Sequence, residues 1–147
     1  MRKNVNPDDP GTWPVLSVGQ PWAHAIMYYA KDVENRSWST TYRGRMWVHA
    51  SSRGAFLDRW PGTVALGGEH GMPIGVIVGS VDITDVVRGH TSPWSWGPDL
   101  YQWVVSDPRP LDVPIPAKGL PTLWYPRHEV ADALRAVAMV PQAPWEP

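Results

Sequence analysis

The sequence predicts an α+β fold, a small, partly open β-barrel of five to six strands with flanking helices. Three observations carry this. Residues 43–50 alternate with a period of two, and residues 74–87 form a long, mostly apolar strand signal. Helical spacing appears in short stretches near residues 21–30 and 130–137. Strands therefore come in runs, with helices between or outside them.

Taken in order, residues 1–13 are polar and rich in proline and aspartate, which reads as a flexible arm. Val15, Leu16 and Val18 make a short strand that stops at Gly19. Pro21 suits a first helical turn, and Trp22, Ala25, Ile26 and Tyr29 then fall on one face of a helix that should be largely buried, with His24 satisfied at its rim. In residues 43–50, Met46, Val48 and Ala50 share one face, leaving Arg45, Trp47 and His49 on an outer or mouth-facing side. Residues 52–60 fit a short helix. Val76 to Val81 is apolar on both faces, as a central strand would be. The stretch RGHTSPWSWGPD, residues 88–99, has no period and reads as a loop carrying Trp94 and Trp96. Tyr101, Trp103 and Val105 share a strand face, and Pro108, Pro110, Pro114 and Pro116 mark an edge-like extended segment, because proline donates no ladder bond. Val130, Ala133, Leu134 and Val137 line one face of a C-terminal helix, and the tail from Pro141 is loose. The 147 residues suit a single domain, 1–147, with its core at about 15–138.

Composition narrows the function. With no cysteine, disulfides, thiol nucleophiles and thiolate metal sites are excluded, and the five histidines lack paired ligand spacing, so neither a metal nor a cofactor is expected. GGEHG at residues 67–71 lacks the lysine and hydroxyl of a phosphate loop. No apolar run is long enough for a membrane span, and no apolar core follows Arg2 and Lys3, so a cytoplasmic protein is expected. The net charge is −1, yet residues 31–53 hold five basic and two acidic side chains, +3 against −4 elsewhere. A local basic patch on a mildly acidic chain is the footprint of a small anionic site. Ten tryptophans against one phenylalanine suit half-exposed platforms as well as a core.

The order of signals is specific: LSVGQPWA, a short helix, K-x-x-E-x-R as Lys31, Glu34 and Arg36, then SW and TTYRGRMWVHAS, and PIPAKG ahead of LW. Over residues 15–124 this resembles the ASCH family, the activating-signal-cointegrator homology domains, themselves similar to PUA-like barrels that bind RNA. The resemblance implies a PUA-like barrel with a cleft between the first helix and the barrel, where the motif lines a nucleic-acid or nucleotide site. Tyr29 stands where the family has glycine. Some similar proteins deacetylate modified cytidine, with a threonine at the Glu34 place as nucleophile, and others are ribonucleases; Glu34 removes that hydroxyl.

Under this reading Lys31 meets phosphate or a base carbonyl, and Glu34 accepts from an exocyclic amine or ribose hydroxyl. On spacing alone, a structural ion pair is as good a reading. Arg36 holds Glu34 or reaches phosphate. Tyr42 and Arg43 let a ring stack while a guanidinium tracks a backbone, or they sit on a solvated hairpin. Gln20 reads a base edge or starts the helix; Ser51, near Arg53, contacts phosphate or simply ends the strand in a turn; Arg53 and Lys118 are phosphate contacts; Trp96 is a stacking ring, whereas Trp47 reads as structure. The expected function is a nucleic-acid-binding module for RNA or DNA, including capture of a single or modified base. The alternative is a hydrolase on a modified nucleoside or RNA, with Lys31 and Glu34 transferring protons. A tryptophan-lined carbohydrate or protein module is the third class, and it leaves K-x-x-E-x-R without a role.

Overall fold

The computed structural model describes residues 4–51 and 72–138; the helix expected over 52–60, Arg53, the GGEHG stretch and the tail from Pro141 lie outside the described residues. Among the described residues six strands form one mixed sheet in the order β2-β5-β4-β3-β1-β6, curled as a partly open barrel with two helices. They are β1 (Val15–Val18), β2 (Val33–Arg36), β3 (Gly44–Ala50), β4 (Val76–Arg88), β5 (Tyr101–Pro116) and β6 (Leu123–Trp124), with α1 (Trp22–Tyr28) and α2 (His128–Ala138). Among the described residues the β1–β3 pairing is parallel and the other ladders are antiparallel.

The apolar periodicities identified β1, β3, β4 and both helices, and the faces needed correction in two places. Trp47 and His49 are buried on the side expected to face outward, because Trp47 joins a second core with Val15, Ile77 and Leu134 beneath α2. Tyr29 lies beyond the last turn of α1 and is 42% exposed, so the buried face of α1 is Ala23, Ala25, Ile26 and Met27 instead.

The proline-rich segment is no separate edge piece but the second half of β5. It stays in the sheet because β2 pairs only with its first four residues, Tyr101 to Val104, and leaves one side of the remainder without a ladder. On the other side, the register against β4 shifts repeatedly, which accommodates Pro110 opposite Gly79. The N-terminal segment packs on the domain. A 3₁₀ turn at Pro10–Thr12 is capped by Asp9, whose carboxylate also meets Arg135 of α2 at 2.8 Å, and Trp13 lies 5.2 Å from Trp47.

Loop 89–100 is irregular, as its composition implied, but it is pinned. The buried amide of Gln102 donates to the Gly97 and Leu100 carbonyls and accepts from the His90 N–H, while Asn35 Oδ1 accepts from the Trp96 N–H.

Gly79 marks a tight point of the core. A Cβ there would lie 2.5 Å from Met27 Sδ, 2.6 Å from the Arg109 carbonyl and 2.8 Å from Pro110 Cα, and two of those three atoms belong to backbone. Gly79→Ala is expected to destabilise the fold by about 1–3 kcal/mol, as overpacking does, measured as a lower urea midpoint at unchanged slope.

Candidate functional site

β2 was not anticipated as a strand, since Glu34, Asn35 and Arg36 show no apolar alternation. Its pairing with β5 sets Glu34 opposite Trp103 and Arg36 opposite Tyr101, and the period of two turns both charged side chains to one face. Lys31, just before the strand, has a side chain only 1% exposed. Its ammonium donates to the Val33 carbonyl and, at 2.9 Å, to Glu34 Oε1. Glu34 Oε2 accepts from Arg36 Nε at 3.0 Å, and Arg36 Nη2 donates to the Ser17 carbonyl of β1 at 2.6 Å. A line of charge thus runs from the buried lysine through the carboxylate to a guanidinium that joins β2 to β1.

Arg36 emerges in a cavity of about 540 Å³, together with Ser17, His49, Ser51, Lys118 and Thr122. Two cations and no carboxylate line it among the described residues. That balance favours an anion or a polar group with exposed acceptors.

The floor of the cavity is a hydrogen-bonded relay. Trp124 Nε1 donates to Ser17 Oγ at 3.1 Å, Ser17 Oγ lies 3.1 Å from His49 Nδ1, and His49 Nε2 lies 2.7 Å from the Ala117 carbonyl. A carbonyl only accepts, so the neutral His49 carries its proton on Nε2, and its Nδ1 accepts a hydrogen bond from the Ser17 hydroxyl. Burial pushes the His49 pKa down, partly opposed by the Ala117 bond. Gly119 closes over this pair: a Cβ there would come within 2.8 Å of both Ser17 Oγ and His49 Cε1.

The predicted site residues therefore divide. Arg36, Ser51 and Lys118 share this cavity, and Lys31 and Glu34 stand behind its wall. Gln20 does not join them. Its fully buried amide donates to the Pro73 carbonyl and accepts from the His24 N–H at the start of α1, and it borders a different cavity.

Tyr42 and Arg43 line a third cavity, beside Tyr125, at the opposite end of β3 from Ser51, about 20 Å along the strand. The Tyr42 hydroxyl donates to the Arg45 carbonyl and, chiefly through burial, has its pKa pushed up to about 12. Arg43 donates to the Thr40 and Tyr42 carbonyls. Trp96 is 57% exposed, edge-on to Trp22 at 5.6 Å. Trp38 packs edge-on against the core Trp103 at 4.8 Å.

Ser17, His49 and Gly119 were not singled out from the sequence. The one usable signal was Ser17, a polar residue interrupting the apolar run of β1. Among the described residues no group of three or more His, Cys, Asp or Glu could hold a metal ion, and no helix is long and apolar enough to cross a membrane.

Comparison with known proteins agrees with this architecture. The ASCH domain profile matches residues 16–113. Activating signal cointegrator 1 of Homo sapiens is 31% identical over 130 residues, covering 78% of this chain and 22% of that protein; the Mus musculus protein is 30% identical over the same coverage. The chain thus spans about a fifth of these relatives' length. The crystal structure of ASCH from Zymomonas mobilis superposes with a TM-score of 0.56 at 16% identity, covering 90% of this chain and 98% of that one, a likeness of fold.

Two measurements probe the site's construction. Lys31→Ala strands the Glu34 carboxylate at 9% exposure, with Arg36 its remaining partner, and should lower unfolding free energy by about 3–5 kcal/mol in urea titration, whereas exposed Arg127→Ala should change it little. His49 is held neutral in the fold, so the unfolded chain binds more protons below about pH 6.5, the group's ordinary value. Stability should fall as pH drops from 6.5 through the lowered folded pKa, and His49→Gln should flatten that part of the melting-temperature profile.

Proposed function

Because the chain belongs to the ASCH domain family, we propose that it is a nucleic-acid-binding module for RNA or DNA, which seats one phosphate of a short single strand on Arg36 and Lys118. The observation that carries this reading is the cavity itself: among the described residues it has two cations without a carboxylate, one of them held by a buried acid–base chain. A guanidinium has five N–H donors. The bonds to Glu34 and Ser17 run through Nε and Nη2, and the Nη1 edge stays out of them. Lys31 and Glu34 act by orienting Arg36, so the motif serves the site from behind. Ser51 and the relay through Ser17 and His49 add hydroxyl and imidazole edges to the same wall.

Binding is preferred to hydrolysis because Lys31 and Glu34, the pair a proton-transfer mechanism would use, are bonded to each other and to Arg36 inside the wall. Arg53 joins the proposed phosphate contacts on charge alone, and Tyr42, Arg43 and Trp96 are proposed as outlying contacts for a longer strand.

Fluorescence anisotropy with short labelled single strands of RNA and DNA tests the reading. Lys118→Ala, an exposed change, should weaken binding about ten- to a hundredfold, the worth of one charge-assisted hydrogen bond, and Arg127→Ala should not. With one phosphate seated the slope of log affinity against log salt should be about −0.7. Equal losses for the two variants would mean diffuse attraction and no pocket; a cleaved or deacylated product would put the hydrolase first.

A further inference from the structure

We infer that a second cavity, against α1, is a nucleobase-stacking subsite for the same strand whose phosphate sits on Arg36 and Lys118. The inference rests on the binding reading above. This cavity, about 330 Å³, has Met27, Val78 and Leu111 in its lining and a run of three rings: His24 lies 4.9 Å from Tyr28 and 5.7 Å from Tyr29, tilted by 47° and 39°. Tyr29 leaves 42% of its surface open to solvent, so the run has a free outer ring.

Among the described residues no lysine, arginine, aspartate or glutamate lines the cavity. Asp112 acts electrostatically on Tyr28 without lining it, which further disfavours a phosphate there. Burial holds His24 below its ordinary pKa, so its ring is neutral at pH 7. A flat, uncharged, polarisable group suits this surface, and on a nucleic acid that group is the base.

Position selects the same strand as the source. Pro73 borders this cavity and Gly75 the cationic one; Pro114 borders this cavity and Ala117 the cationic one. Two or three residues of extended chain span at most about 7–11 Å, so the linings of the two cavities approach within that distance. The amide of Gln20 also lines the cavity, but both its ends are bonded within the protein, to Pro73 and His24. With that amide occupied, the subsite holds a base by its face and tolerates any base.

A single-stranded trinucleotide carrying 2-aminopurine at one position in turn tests this, because stacking quenches its fluorescence. Quenching on binding to the wild-type protein is expected at one position. Tyr29→Ala should abolish it and weaken binding about ten- to a hundredfold, while Tyr29→Trp preserves both. Affinity for ribose 5-phosphate, which has no base, should be unchanged in Tyr29→Ala. If Tyr29→Ala quenches and binds the trinucleotide like wild type while Lys118→Ala weakens it, the subsite is overturned and the binding reading stands. If the wild-type protein binds no trinucleotide, both are overturned.

Discussion

The domain is organised around one buried cation. Lys31 cannot be left unpaired among apolar side chains, and Val33 and Glu34 satisfy it from the strand that follows. Glu34 then has a second oxygen to offer, which Arg36 takes, and Arg36 in turn reaches the Ser17 carbonyl on β1. In the sheet order β2-β5-β4-β3-β1-β6, β2 is one edge and β1 lies next to the other. The barrel therefore closes through side chains where no backbone ladder joins its sides. The cationic cavity opens at that join.

The tryptophans make a related bargain between core and polar groups. Each large ring buries apolar area, but its N–H needs an acceptor. Trp13 donates to the Asn6 and Pro7 carbonyls, Trp47 to the Pro10 carbonyl, Trp103 to the Trp38 carbonyl and Trp124 to Ser17. These bonds tie irregular segments to the sheet: the N-terminal turn, the stretch after β2, and the cavity floor. A core filled by phenylalanine would supply the packing without the ties. This accounts for four of the ten indoles without giving them a ligand.

What could be read in advance followed from what creates a periodic signal. β1, β3, β4, α1 and α2 pack apolar faces, and their spacing shows it. β2 was hidden because Glu34 and Arg36 are satisfied by each other and Asn35 by the loop, so nothing in the spacing distinguishes it from a polar turn. β6 is two residues long, too short for any period. Trp47 and His49 share a face with the charged Arg45, which pointed them outward, and the second core beneath α2 became visible only with α2 in place. At the site, K-x-x-E-x-R announced a cluster of charge, but spacing cannot say which member is buried. The floor of the cavity joins residues 17, 49, 117 and 124, which no local pattern connects.

A join made by one guanidinium differs from a ladder in what can disturb it. Ladder bonds share strain over many residues, whereas here a single planar group faces Glu34, the Ser17 carbonyl and the cavity together. Any negative group arriving at that face alters the balance of pull on Arg36, and by thermodynamic reciprocity the tightness of the join alters how well that group is held. If an anion sits there as proposed, its occupancy and the closure of the barrel are linked in one equilibrium, without a moving lid or a distant second site.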